Sequence, residues 1–571
     1  MTKRMRFTAL LLAIMMVIAL HGGVMAQDAA EIPAEQPQVQ EAPATTQELP
    51  AEQEQTIDQT TVQIPVVQSE QPSVWAQEGV SWSAIYGLVS PNMLADYRAD
   101  VNRAELYAAA CNLYIRATGK AIEPVGTSPF TDADLPGVKA ACAIGILEGE
   151  GSFEPEKAAT RKEMTEVMYK ALEVSELDLK LDSAESSAAD AVQYFVSNGL
   201  LKGRGGNNLY LEESCSRQEL MVFMHRVYEF TAYETGNYSK GLFWKASDED
   251  STIYLLGSIH IADQSLYPLS KDIMNAFESS DTLVLEADLS KLQEDMIYMQ
   301  QKIFYEGDET LDQNIPKELY DRFVELVSPL GLQPEMYNKF KPWYAAMLAQ
   351  NLMISNTGDA GSGTEDGTGG NAGDAAGDGA VSAYSANLGI DMYFTSKAIN
   401  NKAITEIEGL KFQVDMFDSF SNEIQTWYLE STLGPAESTD DTGASDTGST
   451  SEDASDAGAD DTDTTGTSAV DTSSQAVSAF EVMLSAWENG DAKLIEDMVK
   501  STYTDDPKAV EFNTTFWNTR NNNMYERAKA FLADPENTTY FIVVGAGHME
   551  GDTGIVTQLI ENGYNVERIL N

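Results

Sequence analysis

Two short stretches decide the fold of the C-terminal part of this 571-residue chain: TIYLLGSIH, residues 252–260, and TTYFIVVGAGH, residues 538–548. In each stretch an apolar run is broken by a glycine, and a histidine follows three residues after that glycine. Such runs predict buried strands, and glycine permits a sharp turn where each strand ends. Because α/β sites commonly form at the carboxyl ends of strands, we expect His260 and His548 in one cleft.

A third apolar segment, DTLVLEADL at residues 281–289, is also predicted to be a strand, and it presents Glu286 near its end. The helical stretch at residues 516–532 adds Arg520 just before the last strand. Two imidazoles and a carboxylate suit a divalent-metal site or an acid–base pair, and an arginine stabilises an oxyanion or a carboxylate. The alternative is that each histidine is a structural residue. The chain has only four histidines, so two in matching contexts favour a functional role.

The formal charge of the chain is -54. This charge argues against nucleic acid and anionic lipid as partners, because both need lysine and arginine. The hydrophobic content of 43% still allows packed cores, and the length predicts two or three domains.

The first 26 residues resemble an export signal. Lys3, Arg4 and Arg6 precede an apolar run at Phe7–Leu20, and small residues at 24–26 offer a cleavage site. The alternative is a retained anchor, but the run is short for a bilayer, which takes about 20 residues. We therefore expect secretion with no stable membrane span after cleavage.

Three regions are predicted to be disordered because they contain few large apolar residues. They are a spacer at residues 27–73 and two acidic insertions at about 356–380 and 434–474. The three cysteines are Cys111, Cys142 and Cys215. Cys111 and Cys142 could pair, but small buried side chains are the favoured interpretation.

A repeat organises residues 74–235. In each of three copies, a Gly-Ile/Leu dipeptide is followed by Arg-x-Glu and an apolar helical stretch. The dipeptides begin at Gly87, Gly145 and Gly199, and the Arg-x-Glu motifs at Arg103, Arg161 and Arg217. The pattern predicts an all-α bundle of helix–loop–helix units that stack on one another.

The second copy resembles the S-layer homology repeat, through Phe130-Thr131-Asp132, GILEG at Gly145–Gly149, Phe153-Glu154-Pro155 and Thr160-Arg161-Lys162-Glu163. This resemblance implies attachment to anionic secondary cell-wall polysaccharide through Arg103, Arg161 and Arg217. A guanidinium suits an acidic sugar because it donates to both oxygens of a carboxylate. The alternative is that these arginines only pair with the adjacent glutamates.

An ordered set of motifs follows from residue 241 to residue 571. The set comprises GSIH at Gly257–His260, Glu286, Lys341-Pro342-Trp343, Gly389-Ile390-Asp391, Ile407-Glu408 with Gln413 and Phe417, Arg520-Asn521, and GAGHMEGDTG at Gly545–Gly554. It resembles the TraB/GumN domain, which is related to the Tiki metalloproteases and to the pheromone-shutdown protein of conjugative plasmids. The resemblance implies an α+β fold, a mixed sheet flanked by helices, similar to that of erythromycin esterases.

The resemblance also implies a secreted, wall-attached hydrolase, a metal-dependent peptidase acting on extracellular peptides or proteins. His260, Glu286 and His548 would hold manganese, cobalt or zinc, and the metal would activate water. Glu408 would be a general base or further ligand, and Arg520 would stabilise the oxyanion.

Two other functions remain open at this point. One is a metal-independent hydrolase, because the related erythromycin esterases use His and Glu without an essential metal. The other is a non-catalytic protein that binds a peptide signal in the same cleft.

Overall fold

The computed structural model describes residues 71–181, 188–205, 208–248, 251–288, 291–355, 384–399, 401–434 and 480–570. The predicted signal peptide, the spacer up to residue 70 and nearly all of the two acidic insertions lie outside the described residues. The described chain forms two compact units, one ending at Thr235 and the other beginning at Gly236.

The N-terminal unit contains three pairs of helices. They are α1 (Gln77–Ile85) and α2 (Arg103–Thr118), α3 (Pro136–Ala143) and α4 (Arg161–Val174), and α5 (Ala188–Ser197) and α6 (Arg217–Thr235). After the first helix of each pair comes a glycine with positive φ, namely Gly87, Gly145 and Gly199. This backbone conformation is strained for other residues, which explains the repeated Gly-Ile/Leu dipeptide.

The Arg-x-Glu motif begins the second helix of each pair. The Asn102 side chain accepts from the Glu105 backbone N–H at 2.8 Å, and that of Thr160 accepts from the Glu163 backbone N–H at 3.1 Å. In the third copy the carboxylate of Glu219 accepts from the Ser216 backbone N–H at 3.0 Å. Asn, Thr and Ser are all good N-cap residues, so the variation between copies preserves one helix start.

Each motif arginine pairs with the motif glutamate of another repeat, and the three pairs close a ring. The pairs are Arg103–Glu163 at 2.7 Å, Arg161–Glu219 at 2.9 Å, and Arg217–Glu105. Single backbone bridges join the same three loops pairwise. The ring therefore links the first repeat to the third as well as to the second.

Arg161 is the most buried arginine of this ring, with 5% of its side chain exposed. Its Nε donates to the Leu209 carbonyl at 2.9 Å and its Nη2 to the Lys202 carbonyl at 2.7 Å. The guanidinium of Arg161 is thus bonded inside the unit. Polysaccharide binding by these arginines and the S-layer homology assignment both stay predictions.

The C-terminal unit is built on a mixed sheet of six strands in the order β4-β3-β5-β2-β1-β6. The strands are β1 (Leu242–Ser247), β2 (Thr252–Ser258), β3 (Thr282–Leu285), β4 (Ala403–Glu406), β5 (Tyr540–Gly545) and β6 (Asn565–Arg568). β2 and β3 both pair parallel with β5, β4 pairs parallel with β3, and β1 is antiparallel to β2 and β6. The three predicted strands lie side by side in this sheet, which confirms the expected α+β arrangement.

Helices fill the connections of this unit. They are α7 (Lys271–Ser279), α8 (Leu292–Ile303), α9 (Leu311–Asn314), α10 (Lys317–Val327), α11 (Pro334–Tyr337), α12 (Pro342–Ser355), α13 (Ile390–Ala398), α14 (Leu410–Ser419), α15 (Asn422–Leu433), α16 (480–488), α17 (Ala492–Lys500), α18 (Pro507–Asn513), α19 (Arg520–Leu532) and α20 (Ile555–Glu561). A π-helical segment, Thr514–Thr519, joins α18 to α19.

None of the helices in the described ranges is long and apolar enough to cross a membrane. All three cysteines are free thiols, so the possible bond between Cys111 and Cys142 is not formed.

We predict that Arg161→Met destabilises the N-terminal unit by about 3 kcal/mol or more, because it leaves the buried carboxylate of Glu219 with one fewer cation. Hydrogen exchange of the amides in α4 and α6, followed by mass spectrometry, measures this loss. Lys157→Met is the control, since the Lys157–Glu154 pair is exposed and is expected to contribute less than about 1 kcal/mol. Equal exchange in both variants would contradict a stabilising role for the ring.

Candidate functional site

The two motif histidines follow neighbouring parallel strands at the same edge of the sheet. Ser258 at the end of β2 is in register with Gly545 at the end of β5. A Cβ atom on Gly257 would lie 3.0 Å from the Cα of Ala546, so glycine is needed where the two turns meet. His260 and His548 are both buried, at 6% and 0% exposure. The predicted placement of both histidines at one strand edge therefore agrees with the fold.

Asp391 holds the ring of His260. Its carboxylate accepts from the Nδ1 of His260 at 2.6 Å, and it lies in the first turn of α13. This helix start packs directly on the His260 backbone, since a Cβ atom on Gly389 would lie 2.2 Å from the His260 carbonyl oxygen. The Gly-Ile-Asp motif thus combines a close backbone approach with a carboxylate that orients the imidazole.

Asn521 holds the ring of His548 in the same way. Its amide oxygen accepts from the Nδ1 of His548 at 2.6 Å, and its amide nitrogen donates to the Thr553 hydroxyl at 3.1 Å. Asn521 follows the π-helical segment, a rare conformation that often occurs at functional sites.

These two bonds fix the tautomers of both histidines. An amide oxygen and a carboxylate accept hydrogen bonds, so each Nδ1 carries its hydrogen and each neutral ring keeps a lone pair on Nε2. Both Nε2 atoms are buried and have no hydrogen-bond partner among the described residues. Two buried imidazoles therefore present unused lone pairs.

A buried arginine joins the carboxylates that follow β3 and β4. Arg520 donates through Nε to Glu408 at 3.0 Å and through Nη2 to both Glu408, at 2.8 Å, and Glu286. Glu286 also accepts from the Gln413 side chain at 2.8 Å and from the Gly545 backbone N–H at 3.0 Å. The side chains of Arg520 and Glu408 are each 2% exposed. This cluster fixes the β3 and β4 ends against β5 and α19.

The charges in the site push the pKa values of similar groups apart. Burial lowers the pKa of His548 to about 3, and the charge of Arg520 acts in the same direction. Burial also disfavours a charged His260, but the Asp391 carboxylate, with Glu286, outweighs it and raises the pKa of His260. His548 is thus a neutral imidazole, whereas the protonated form of His260 is stabilised.

The two carboxylates differ as well. Burial by itself would raise the pKa of Glu286, but Arg520 and the two histidines outweigh burial and lower it. At Glu408 burial outweighs the attraction of Arg520, so the pKa is raised. Glu286 is therefore the more firmly ionised member of the pair.

The metal-ligand set predicted from the sequence, His260, Glu286 and His548, stays a prediction. The Nε2 atoms of His260 and His548 suit a divalent ion, but Glu286 is bonded to the cationic Arg520. In the part of the chain that the structure describes, no group of three or more His, Cys, Asp or Glu side chains is placed to hold a metal.

The sequence motifs predict His260, His548, Glu286, Glu408 and Arg520 as site residues. The fold brings these side chains close enough for their charges to shift one another's pKa values. Sequence reasoning gave no role to Asp391, Asn521 or Gln413, which orient these groups. Asp391 and Asn521 stand in the quoted motifs, beside the helix start at Gly389 and beside Arg520. Their position in those motifs was the available signal, but only the fold shows which side chain each one contacts.

We predict that Gly389→Ala displaces α13 from His260 and breaks the Asp391–His260 bond, because the added methyl group overlaps the His260 carbonyl. The expected result is a lower melting temperature and a lower pKa for His260, measured by thermal unfolding and by NMR titration. Gly126→Ala is the control, since a Cβ atom there meets nothing within 4 Å. An unchanged His260 titration in Gly389→Ala would contradict this role of the glycine.

Comparison with known proteins identifies the domain that carries this site. Residues 242–568 match the TraB/PrgY/gumN family, which is more than half of the chain. The chain is also similar to the uncharacterized protein YbaP of Escherichia coli (strain K12), with 23% identity over 142 residues. That similarity covers 24% of this chain and 50% of YbaP, so the chain spans about half the length of this relative. The family match at residues 242–568 contains all six strands of the described sheet and every residue of the site. The chain therefore belongs to the TraB/PrgY/gumN family.

Proposed function

We propose that the C-terminal domain is a hydrolase of peptide or ester bonds in which His260 is the acid–base group. The observation that carries this proposal is the pair of buried Nε2 atoms whose rings are each fixed through Nδ1. An imidazole oriented by a carboxylate, as His260 is by Asp391, is well placed to act as a general base.

In this mechanism the Nε2 of His260 removes a proton from a water molecule as the water oxygen attacks the carbonyl carbon. Asp391 stabilises the imidazolium that forms, and His260 then returns the proton to the leaving nitrogen or oxygen. His548 stays neutral and accepts a hydrogen bond that orients the water. Arg520 and Glu408 act as positioning residues, since Arg520 donates hydrogen bonds to the carboxylates of both Glu286 and Glu408.

A metal-dependent peptidase is the second candidate. It is favoured by the same two Nε2 atoms, because a neutral imidazole with a bonded Nδ1 is the form that binds a metal. His260 and His548 would hold the ion, which would supply Lewis-acid activation of the carbonyl or of water. Glu286 would join them only if its bond to Arg520 were exchanged.

We predict that His260→Ala lowers kcat/KM by about 100-fold or more, the usual contribution of an acid–base group. His548→Ala should also lower kcat/KM, because the attacking water is then no longer oriented. A panel of unstructured peptides and aryl esters, with the full chain, gives the measurement. His225→Ala is the control, because His225 lies in the N-terminal unit. If the two site variants hydrolyse the panel as fast as His225→Ala, the catalytic proposal is wrong. A peptide-binding protein is then the better account.

The metal content of the same purified variants separates the two mechanisms. If a metal is held, His260→Ala and His548→Ala should both lose it, since each removes a ligand. Full activity after chelation, with no stoichiometric metal, would support the metal-independent reaction.

We predict an acidic loss of activity governed by His260. The base form is the active one, so kcat/KM should rise with pH through the pKa of His260. Because Asp391 and Glu286 raise this pKa above the ordinary 6.5, the rise should lie above that pH and move lower in Asp391→Asn. A rise centred well below pH 6.5 in the unmodified protein would contradict this assignment.

We further propose that the protein is secreted and held at the cell wall by its three N-terminal repeats, with secondary wall polysaccharide as the partner. The support is the basic and apolar N-terminal sequence and the motif-rich second repeat. The full chain should sediment with isolated walls and not with walls stripped of this polysaccharide. Equal sedimentation with both would contradict the proposal.

A further inference from the structure

A cavity of about 310 Å³ is lined by Asn521, whose side-chain oxygen accepts from the Nδ1 of His548, and by Gly547, which precedes His548 in the chain. Its walls come from α17 and the turn after it, from the π-helical segment with Asn521, and from the loop at residues 547–553. Ligand pockets commonly measure about 300–1,000 Å³, so this one suits a single side chain or a small molecule. No step of the mechanism above uses it.

The charged groups of the cavity wall leave it net negative. Three carboxylates, Glu496, Glu550 and Asp552, line it together with one ammonium group, Lys500. Lys500 lies 2.5 Å from Glu496 and 3.8 Å from Asp552, so it offsets only part of this charge. Glu550 pairs with Arg568 and Glu496 also pairs with Lys493, each at 3.6 Å, but neither of these two cations lines the cavity. The cavity therefore favours a cationic ligand.

The other groups of the wall suit an amino-acid residue. Val499 and the rings of Tyr503 and Trp517 offer apolar contact to an aliphatic stem, and aromatic faces attract an ammonium group. Trp517 is 1% exposed, and its buried indole Nε1–H has no acceptor among the described residues. A peptide carbonyl would supply that acceptor.

Hydrogen bonds connect the cavity wall to the imidazole of His548. The hydroxyls of Tyr503 and Thr553 both donate to the Asn518 side-chain oxygen, at 3.0 Å and 3.2 Å. Asn521 donates to Thr553 and accepts from His548, as described above. All four of these wall residues line the cavity, so a ligand there contacts the groups that orient His548.

We propose that this cavity is a subsite for a basic side chain, lysine or arginine, of the peptide on which the domain acts. This proposal rests on the proposed function, because the peptide is a substrate only if the domain is a hydrolase. The binding of a basic residue in the cavity does not depend on cleavage. Glu550 and Asp552 recognise the cation, Trp517 recognises the peptide backbone, and Asn521 with Thr553 is the connection to His548.

The test is binding of two probes, N-acetyl-lysine methylamide and N-acetyl-norleucine methylamide, to the full chain by titration calorimetry. Norleucine keeps the aliphatic stem and lacks the ammonium group. The lysine probe should bind at least about tenfold more tightly, and Glu550→Gln should weaken it by about tenfold. Asp552→Asn is a second variant. The side chain of Asp552 is 94% exposed, so this change should leave the fold intact and also weaken binding of the lysine probe.

Glu526→Gln is the matched control, since Glu526 pairs with Lys529 on α19 and does not line the cavity; it should leave binding unchanged. Equal affinity for the two probes, or no effect of either carboxylate variant, would overturn the subsite. His260→Ala separates the two proposals, because it should lower the cleavage rate by about 100-fold or more and leave lysine binding unchanged. Lysine-specific binding by an unmodified protein that cleaves no substrate would contradict the proposed hydrolase activity and support the subsite.

Discussion

The ion pairs of Arg520 with Glu286 and Glu408 are the interaction on which the site depends. The two glutamates follow β3 and β4, and the arginine begins α19 after the π-helical segment, so one buried guanidinium connects three elements that are distant in sequence. Burying three charged groups is costly unless each is paired, and here each carboxylate is paired with Arg520. With these ends fixed, the turns that carry the histidines can pack against one another.

The histidine pair follows from this frame and from the parallel pairing of β2 with β5. Each ring is fixed through Nδ1 by a different acceptor, a carboxylate for His260 and an amide oxygen for His548. The carboxylate adds negative charge and the amide does not, which explains why the pKa values move in opposite directions. Two chemically identical side chains thereby acquire different roles, one as a proton carrier and one as a neutral acceptor.

Much of this arrangement could be predicted from sequence. Apolar runs that end in glycine gave the strands β2 and β5, and the strand DTLVLEADL placed Glu286 beside them, because local patterns govern both. The partners of the histidines could not be derived, since Asp391 is 131 residues from His260 and contacts it only through the fold. The same limit applied to the repeats: the motif arginines pair with the glutamates of other repeats and not with the adjacent ones.

The most direct measurement is the ¹⁵N NMR spectrum of the histidine side chains in the full chain, titrated from about pH 5 to 8. The four histidines can be assigned by removing them one at a time. We expect His548 to remain neutral throughout, with its hydrogen on Nδ1, because its pKa is lowered to about 3. We expect His260 to titrate above the ordinary 6.5. If His548 titrates near 6.5 or carries its hydrogen on Nε2, the two rings are not held as described and the account of the site is wrong.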